Sequence, residues 1–476
     1  MINKNFYITT TLPYINSDPH IGFAKEIINA DVIARYNSLQ GKNVFFNTGT
    51  DEHGLKIYRK AEELNISIEQ YCQDYSNKFK ILQEILNLSF NNFIRTTDDK
   101  HVIAAQEFWR RCEANGNIYK KKYSVKYCVG CELEKTESEL VDGRCPFHPN
   151  TDLEIIDEEN YFFRFSAYQE KLLKFYEDNP TFVIPNHRFN EIKSFVKSGL
   201  QDFSISRLKE KMPWGIAVPG DDDQVMYVWF DALVNYISCL DWPNDSENFK
   251  NFWPGLQVCG KDNLRQQTAI WQAMLMSAGV PNSKQVLVFG FLTLNGQKIS
   301  KSLGNTIDPR ELVEKYGVDP VRYYLLKEVP TFEDGDFSYE KMEKLYNADL
   351  ANGLGNLVAR TSNLLEKNDI ELSLTEDSDK DFSAAVWEKI NDYNFSEALR
   401  IIWEKIKQSD EFLSQTTPWK MTDREDIVKA LRPVAQNILN IAYCLQPFLP
   451  DTAKKILRQF NYAKVKKDQS LFPKIV

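Results

Sequence analysis

Apolar positions along the chain fall into three successive patterns. In the first, short apolar runs alternate with helical stretches. Phe6 to Thr10 is a β-rich run, and Leu12-Pro13-Tyr14 with Asn16 to Pro19 breaks it. Ile21, Ile27, Ile28, Val32 and Ile33 then recur at the spacing of a helix. A second run, Val44 to Asn47, ends at Thr48-Gly49-Thr50-Asp51. Strands alternating with helices predict an α/β fold with a parallel βαβ sheet. Ligands of such sheets bind outside the carboxyl ends of the strands, where polar residues of this chain cluster. The second pattern, from about 116 to 222, holds a basic run, a cysteine cluster, aromatics and Asp221-Asp222-Asp223, and reads as an insertion. The α/β pattern resumes with Val225 to Phe230, then Leu256 to Gly260 and Val286 to Leu292, the last two as buried parallel strands. Beyond about residue 345 the pattern becomes helical. Phe395, Leu399, Ile402, Trp403 and Ile406 share one face, as do Val434, Ile438, Ile441 and Leu445, which predicts a helical bundle.

Composition narrows the class without naming it. With 476 residues, 43% hydrophobic and 26% charged, the chain has ample length for several domains. No run approaches the ~18 apolar residues of a membrane span, and the start lacks the apolar core of a signal peptide, so the cytoplasm is the expected compartment. Cys72, Cys112, Cys239 and Cys444 stand singly or in apolar runs, as reduced core cysteines do. A net charge of -9 argues against indiscriminate attraction to nucleic acid, so any RNA contact must come from local patches. Lys120-Lys121-Lys122 with Lys126, and Lys464, Lys466 and Lys467, are the basic runs available, although such runs are commonly solvated surface.

Three segments carry candidate chemistry. Cys128-Val-Gly-Cys131 followed by Cys145-Pro-Phe-His148 can bring four donors to one tetrahedral zinc, with Gly130, Gly143 and Pro146 suited to tight knuckles. Four protein ligands would close the site, making it structural; two unrelated hairpins are the competing reading. Pro19-His20-Ile21-Gly22-Phe23 lies at a strand-to-helix turn, where a helix N-terminus offers N–H groups to phosphate and glycine admits a flat base. Alone, His20 there also reads as a cap. Lys298-Ile299-Ser300-Lys301-Ser302, between Asn295-Gly296 and Leu303-Gly304-Asn305, has the makings of a mobile cationic clamp for polyphosphate, or of an exposed basic loop.

Together the last two segments resemble the HIGH and KMSKS signatures of class I aminoacyl-tRNA synthetases. Thr11-Leu12-Pro13-Tyr14, Gly49-Thr-Asp-Glu-His-Gly54, Tyr227-Val-Trp-Phe-Asp-Ala232 and Gly260-Lys-Asp262 look like the methionyl members of that family, in matching order over nearly the whole chain. The resemblance implies a Rossmann-like catalytic domain in two halves, 1–115 and 223–296. It also implies a zinc-knuckle connective insertion at 116–222, a lysine-loop connection at 297–345 and a helical anticodon-binding domain at 346–476. It implies activation of methionine with ATP and magnesium, followed by transfer to tRNA(Met). His20, Gly22, Phe23, Gly260, Asp262, Lys298, Ser300 and Lys301 would then contact ATP, with His20, Lys298 and Lys301 catalytic and Ser302 supporting the loop. Asp51 would pair with the α-ammonium group. Leu12, Tyr14, Trp229, Ala232 and Tyr236 would surround the thioether, where sulfur–aromatic contact adds to burial. Read without the resemblance, Trp229 and Tyr236 are core residues. Arg207 matches a position near the active site. Asn352, Asn356 and Arg360, at i, i+4 and i+8 of one helix face, would read the CAU anticodon, with Trp419 stacking on a base.

The chain departs from the family pattern at several places. Phe23 stands where a second histidine is usual, Ile299 replaces a methionine, and Leu233 replaces a common proline. Asn263 and Gln267 replace an isoleucine and a histidine of the methionine pocket. Phe23 and Gln267 motivate a competing reading as a non-catalytic RNA-binding paralogue, against which both lysines of the clamp and Asp51 argue. The chain ends at Val476, soon after the bundle, so a monomer is expected.

Overall fold

A computed structural model describes residues 4–130, 133–135, 139–244, 246–299 and 305–475. Cys131, Ser300, Lys301 and Ser302 lie outside the described residues, as does the side chain of Lys298. The fold has two compact units. One comprises the chain to Asp18, Val44–Ile81 and Phe90–Val288; the other comprises Pro19–Asn43, Leu82–Ser89 and the chain from Phe289 onward.

The first unit is built on a six-stranded sheet in the order Asn92–Arg95, Asn43–Thr50, Asn5–Thr10, Leu256–Gly260, Gln285–Phe289, Val183–Ile184. Asn5–Thr10 runs parallel to Leu256–Gly260, and Asn43–Thr50 parallel to Asn92–Arg95. The strand order reverses between Asn5–Thr10 and Leu256–Gly260, which is where such sheets bind ligands. Thr11–Tyr14, Asp51 and Lys261–Asp262 continue from the carboxyl ends of three adjacent strands.

The segment read as an insertion has two parts. Ile118–Cys128 and Glu154–Phe163 form a long antiparallel ladder, flanked by Leu133–Lys135 and Phe203–Ser204. Val183–Ile184, from the same segment, returns to the core sheet and pairs parallel with Val286 and Leu287. Lys120 of the basic run ion-pairs with Asp221 at 2.7 Å. In the second unit, Lys464 pairs with Asp369 at 3.0 Å, so each run has a lysine already tied to an acidic partner.

Val225 to Phe230, where the α/β pattern is expected to resume, is split between an antiparallel strand and a helix, and one predicted parallel strand is corrected. Asp221–Met226 is antiparallel to Ser206–Leu208 and Ala217–Val218, and Val228–Ala232 is a short helix. A short buried apolar run has no period that separates strand from helix. Val286 to Leu292 is broken at Gly290. A Cβ there would lie 2.0 Å from the Glu333 carbonyl oxygen, so the two backbones approach as only glycine allows. Leu292–Leu294 then pairs with Gly335–Phe337 and Gln297–Lys298 in a separate sheet.

The second unit is mainly helical. Phe395–Thr416 packs on Arg424–Leu445, which packs on Pro450–Phe460. Phe395, Leu399, Ile402 and Ile406 are buried along one face, as are Val434, Ile438, Ile441 and Leu445. Within this unit, Arg322 and Asp31 are fully buried and paired at 2.7 Å. Arg322 also donates to the carbonyls of Phe448, Pro447 and Leu86 at 2.9, 3.1 and 3.2 Å. Burial raises the Asp31 carboxyl, but Arg322 and Arg35 outweigh it and hold the group below the usual range.

Candidate active site and metal centre

The nucleotide motif opens the helix Ile21–Leu39. His20 is its N-cap, and its Nδ1 accepts from the Gly22 N–H at 3.1 Å. That bond leaves the ring proton on Nε2, the nitrogen able to donate to a phosphate oxygen. A Cβ on Gly22 would lie 2.9 Å from His20 Cε1, so the glycine makes room for the histidine ring. The expectation of free N–H groups at this terminus is also corrected. Ile21 N donates to Ile307 O at 2.9 Å, and Phe23 N and Ala24 N donate to His20 O at 3.0 and 3.2 Å. Ile307 follows the lysine loop, and Lys25 Nζ donates to the Gly290 carbonyl upstream of it at 2.9 Å. Both flanks of the lysine segment are thus tied to the helix that begins after His20. Phe23 is half-buried on its first turn.

In the first unit, Tyr14 and Asp51 form a parallel bridge, with Asp51 N donating to Pro13 O at 3.0 Å and Ile15 N to Asp51 O at 3.2 Å. Tyr14 and Trp229 pack on a small hydrophobic cluster of Tyr127, Tyr227 and Val228. The buried Arg207 guanidinium lies 4.3 Å from the Tyr227 ring and bonds Ser204 Oγ at 2.6 Å and Ser206 O at 2.7 Å. Leu12 and Tyr236 belong to the main core of the unit, and Ala232 is buried on its short helix. Gly260 ends its strand, and Asp262 is exposed in the next turn.

Gln267 takes a definite place. It lies in the π-helical turn Gln266–Ile270, where its amide donates to the Tyr236 hydroxyl and accepts from Gln257 Nε2 at 3.1 Å. The polar replacement is satisfied within the core. Asn263 is half-buried beside Asp262, and Leu233 is buried in the main core.

Sequence reasoning missed the buried polar groups around Asp51. The Glu52 carboxylate accepts from Arg95 Nε and Nη2 at 2.8 and 2.9 Å and from the hydroxyls of Thr50 and Thr97 at 2.6 Å. His53 Nδ1 lies 2.6 Å from Asp231 Oδ2, and His101 Nε2 lies 2.8 Å from Asp231 Oδ1. Burial alone would raise the Asp231 carboxyl, but the two imidazoles hold it below the usual range. Glu52, His53 and Asp231 sit inside recognised segments; His101, in a run of charged residues, carries no local signal.

The metal reading has a geometric test. Cys128 Sγ is 3.7 Å and Cys145 Sγ 4.0 Å from His148 Nδ1, and the three donor atoms all lie within 4.8 Å of one another. Tetrahedral zinc, with bonds of ~2.0–2.3 Å, requires donor separations of about 3.5–3.8 Å. The 3.7 Å separation falls in that range and the 4.0 Å one just above it, so among the described residues these three donors are consistent with zinc.

In the helical unit, Asn352 and Asn356 are exposed and Arg360 is half-buried. They do not stand on one regular α-helix, because Tyr346–Gly355 is π-helical and only Asn356–Lys367 is α-helical. Arg360 ion-pairs with Asp410 at 2.6 Å, and its guanidinium lies 5.2 Å from the exposed Trp419 ring.

The chain matches the family model described as tRNA synthetases class I (M) over residues 6–152 and 136–362. A methionine–tRNA ligase from Nostoc sp. is 41% identical over 480 residues, covering 96% of this chain and 90% of that one. This chain belongs to the methionyl-tRNA synthetases. Another family member, the ligase of Thermotoga maritima, is 40% identical over 96% of this chain and 75% of its own. The methionyl-tRNA synthetase of Mycobacterium tuberculosis in complex with methionyl-adenylate superposes with a TM-score of 0.91 at 38% identity, covering 98% and 99% of the two chains. The free form of a synthetase from that organism superposes at 0.84.

Proposed function

We propose that this chain is a methionine–tRNA ligase, which activates L-methionine with ATP to methionyl-adenylate and pyrophosphate, then transfers methionine to the 3′ end of tRNA(Met). The full-length likeness to an adenylate-bound methionyl-tRNA synthetase carries the reading. Asp51 takes the α-ammonium group of methionine, and the side chains of Leu12, Tyr14, Trp229, Ala232 and Tyr236 enclose the thioether. The methionine carboxylate attacks the α-phosphorus of magnesium-bound ATP. His20 donates through Nε2 to the phosphates, with Gly22 and Phe23 beside it and Gly260 and Asp262 on the ribose. Lys298 and Lys301, with Ser300, neutralise charge that builds as pyrophosphate leaves. Phosphoryl chemistry of this kind is mainly positioning and cationic stabilisation.

Cys128, Cys131, Cys145 and His148 hold one zinc, which staples the knuckle of the 116–222 insertion and takes no part in the reaction. The halves 1–115 and 223–296, the connection 297–345 and the bundle 346–476 are the domains of this reading. Asn352, Asn356, Arg360 and Trp419 read the anticodon. A cytoplasmic monomer completes the proposal. ATP–pyrophosphate exchange tested across the standard amino acids is the decisive measurement. Stimulation by methionine is expected, with a loss of orders of magnitude in Lys301→Ala and retained tRNA binding. A wild-type chain that methionine does not stimulate refutes the proposal.

A further inference from the structure

The group around Asp231 does more than fill the core. Asp231 is fully buried, and each of its oxygens meets an imidazole N–H, from His53 at 2.6 Å and His101 at 2.8 Å. With Nε2 of His101 donating, its Nδ1 faces the Ser238 hydroxyl at 2.9 Å. The four groups come from four places: the segment after the strand Asn43–Thr50, the helix Asp99–Ala114, the helix Val228–Ala232 and the helix Asn235–Ser238. Between them these elements carry or adjoin Asp51, Trp229, Ala232 and Tyr236. The same flank of Asp51 is fastened a second time at Glu52, through its carboxylate on Arg95 and through Trp214 Nε1, which donates to Glu52 O at 2.6 Å. The Trp214 ring also packs 5.4 Å from His53. A buried ionic cluster is a poor device for stability alone, since apolar groups of equal volume serve as well or better. What it supplies is direction: each N–H···O bond sets an angle that apolar packing leaves loose.

We infer that Asp231, bridging His53 and His101, is the positioning element of the amino-acid site, holding the Asp51 segment in register with the helix that carries Trp229 and Ala232. The inference rests on the methionine-site reading proposed above. Asp231 acts through these neighbours and does not touch substrate.

Two variants of near-equal size test it in the full chain. Asparagine at position 53 keeps an N–H donor close to the place of Nδ1, whereas glutamine moves it outward by one methylene. In ATP–pyrophosphate exchange with methionine and ATP varied separately, His53→Gln is expected to raise the methionine KM about tenfold, leaving the ATP KM within about twofold. His53→Asn is expected to stay within about threefold of wild type for both substrates. Equal methionine KM values for the two variants, an ATP KM rising in step, or a change confined to kcat would overturn the inference. If His53→Gln does not fold, Ser238→Ala carries the test, with a rise of about threefold in methionine KM alone expected and no change overturning it. An inert wild type refutes the function itself; an active wild type with an unmoved methionine KM in His53→Gln refutes only the positioning role.

Discussion

Replacing Arg322 by alanine isolates the energetics of the helical unit. In the wild type its guanidinium, fully buried, bonds Asp31 Oδ2 at 2.7 Å and four backbone carbonyls. Removing one partner of a buried ion pair costs about 3–5 kcal/mol, because the remaining charge stays buried. Here the low end applies, since Asp31 keeps Arg35 at 2.7 Å and the Ser89 N–H and hydroxyl, both at 2.6 Å. The orphaned carbonyls add about 1–3 kcal/mol, giving about 4–6 kcal/mol in all. The pH dependence gives a second, independent check. The Asp31 carboxyl is held below its ordinary range in the folded protein, so its contribution is present above the unfolded value of about 3.9 and is lost as pH falls through the folded value. Without Arg322 the burial remains while its largest compensating charge is gone, so the folded value moves up. The variant is then penalised most at neutral pH, and its deficit shrinks as the solution is acidified towards about pH 4. Urea unfolding followed by circular dichroism, between about pH 4 and 7, measures both quantities. A deficit below about 1 kcal/mol, or one that does not change with pH, refutes the reasoning. The double variant Asp31→Asn/Arg322→Ala is expected to cost less than the sum of its parts by about 1–3 kcal/mol.

Two further outcomes are expected. Elemental analysis should find about one zinc per chain, and Cys145→Ser or His148→Ala should lose it, because a site short of one ligand is no longer closed; full folding of metal-free wild type would count against the structural role. Trp419→Ala should lower tRNA charging about 5- to 150-fold while leaving methionine-dependent exchange unchanged, since stacking on an unpaired base is worth about 1–3 kcal/mol; equal losses in both assays would exclude an anticodon role.

Much of the candidate site was legible in the chain because the turns, caps and ligand spacings that define it are local. The His20 cap, the Cys145-x-x-His148 half of the knuckle and the turns leaving the strands at Tyr14, Asp51 and Gly260 each involve a few consecutive residues. Turn, capping and ligand chemistry act over that range. The helical faces of Phe395–Ile406 and Val434–Leu445 were equally plain, because burial of one face imposes a period on the sequence. Tertiary structure alone decided the rest. Only pairing across the sheet returns Val183–Ile184 to the core, and only close packing explains the break at Gly290. Only the fold brings His101 to Asp231, Gln267 to Tyr236 and Arg360 to Asp410. Such partners are chosen by distance in space, and a buried polar group signals its need for a bond without naming the distant residue that will satisfy it.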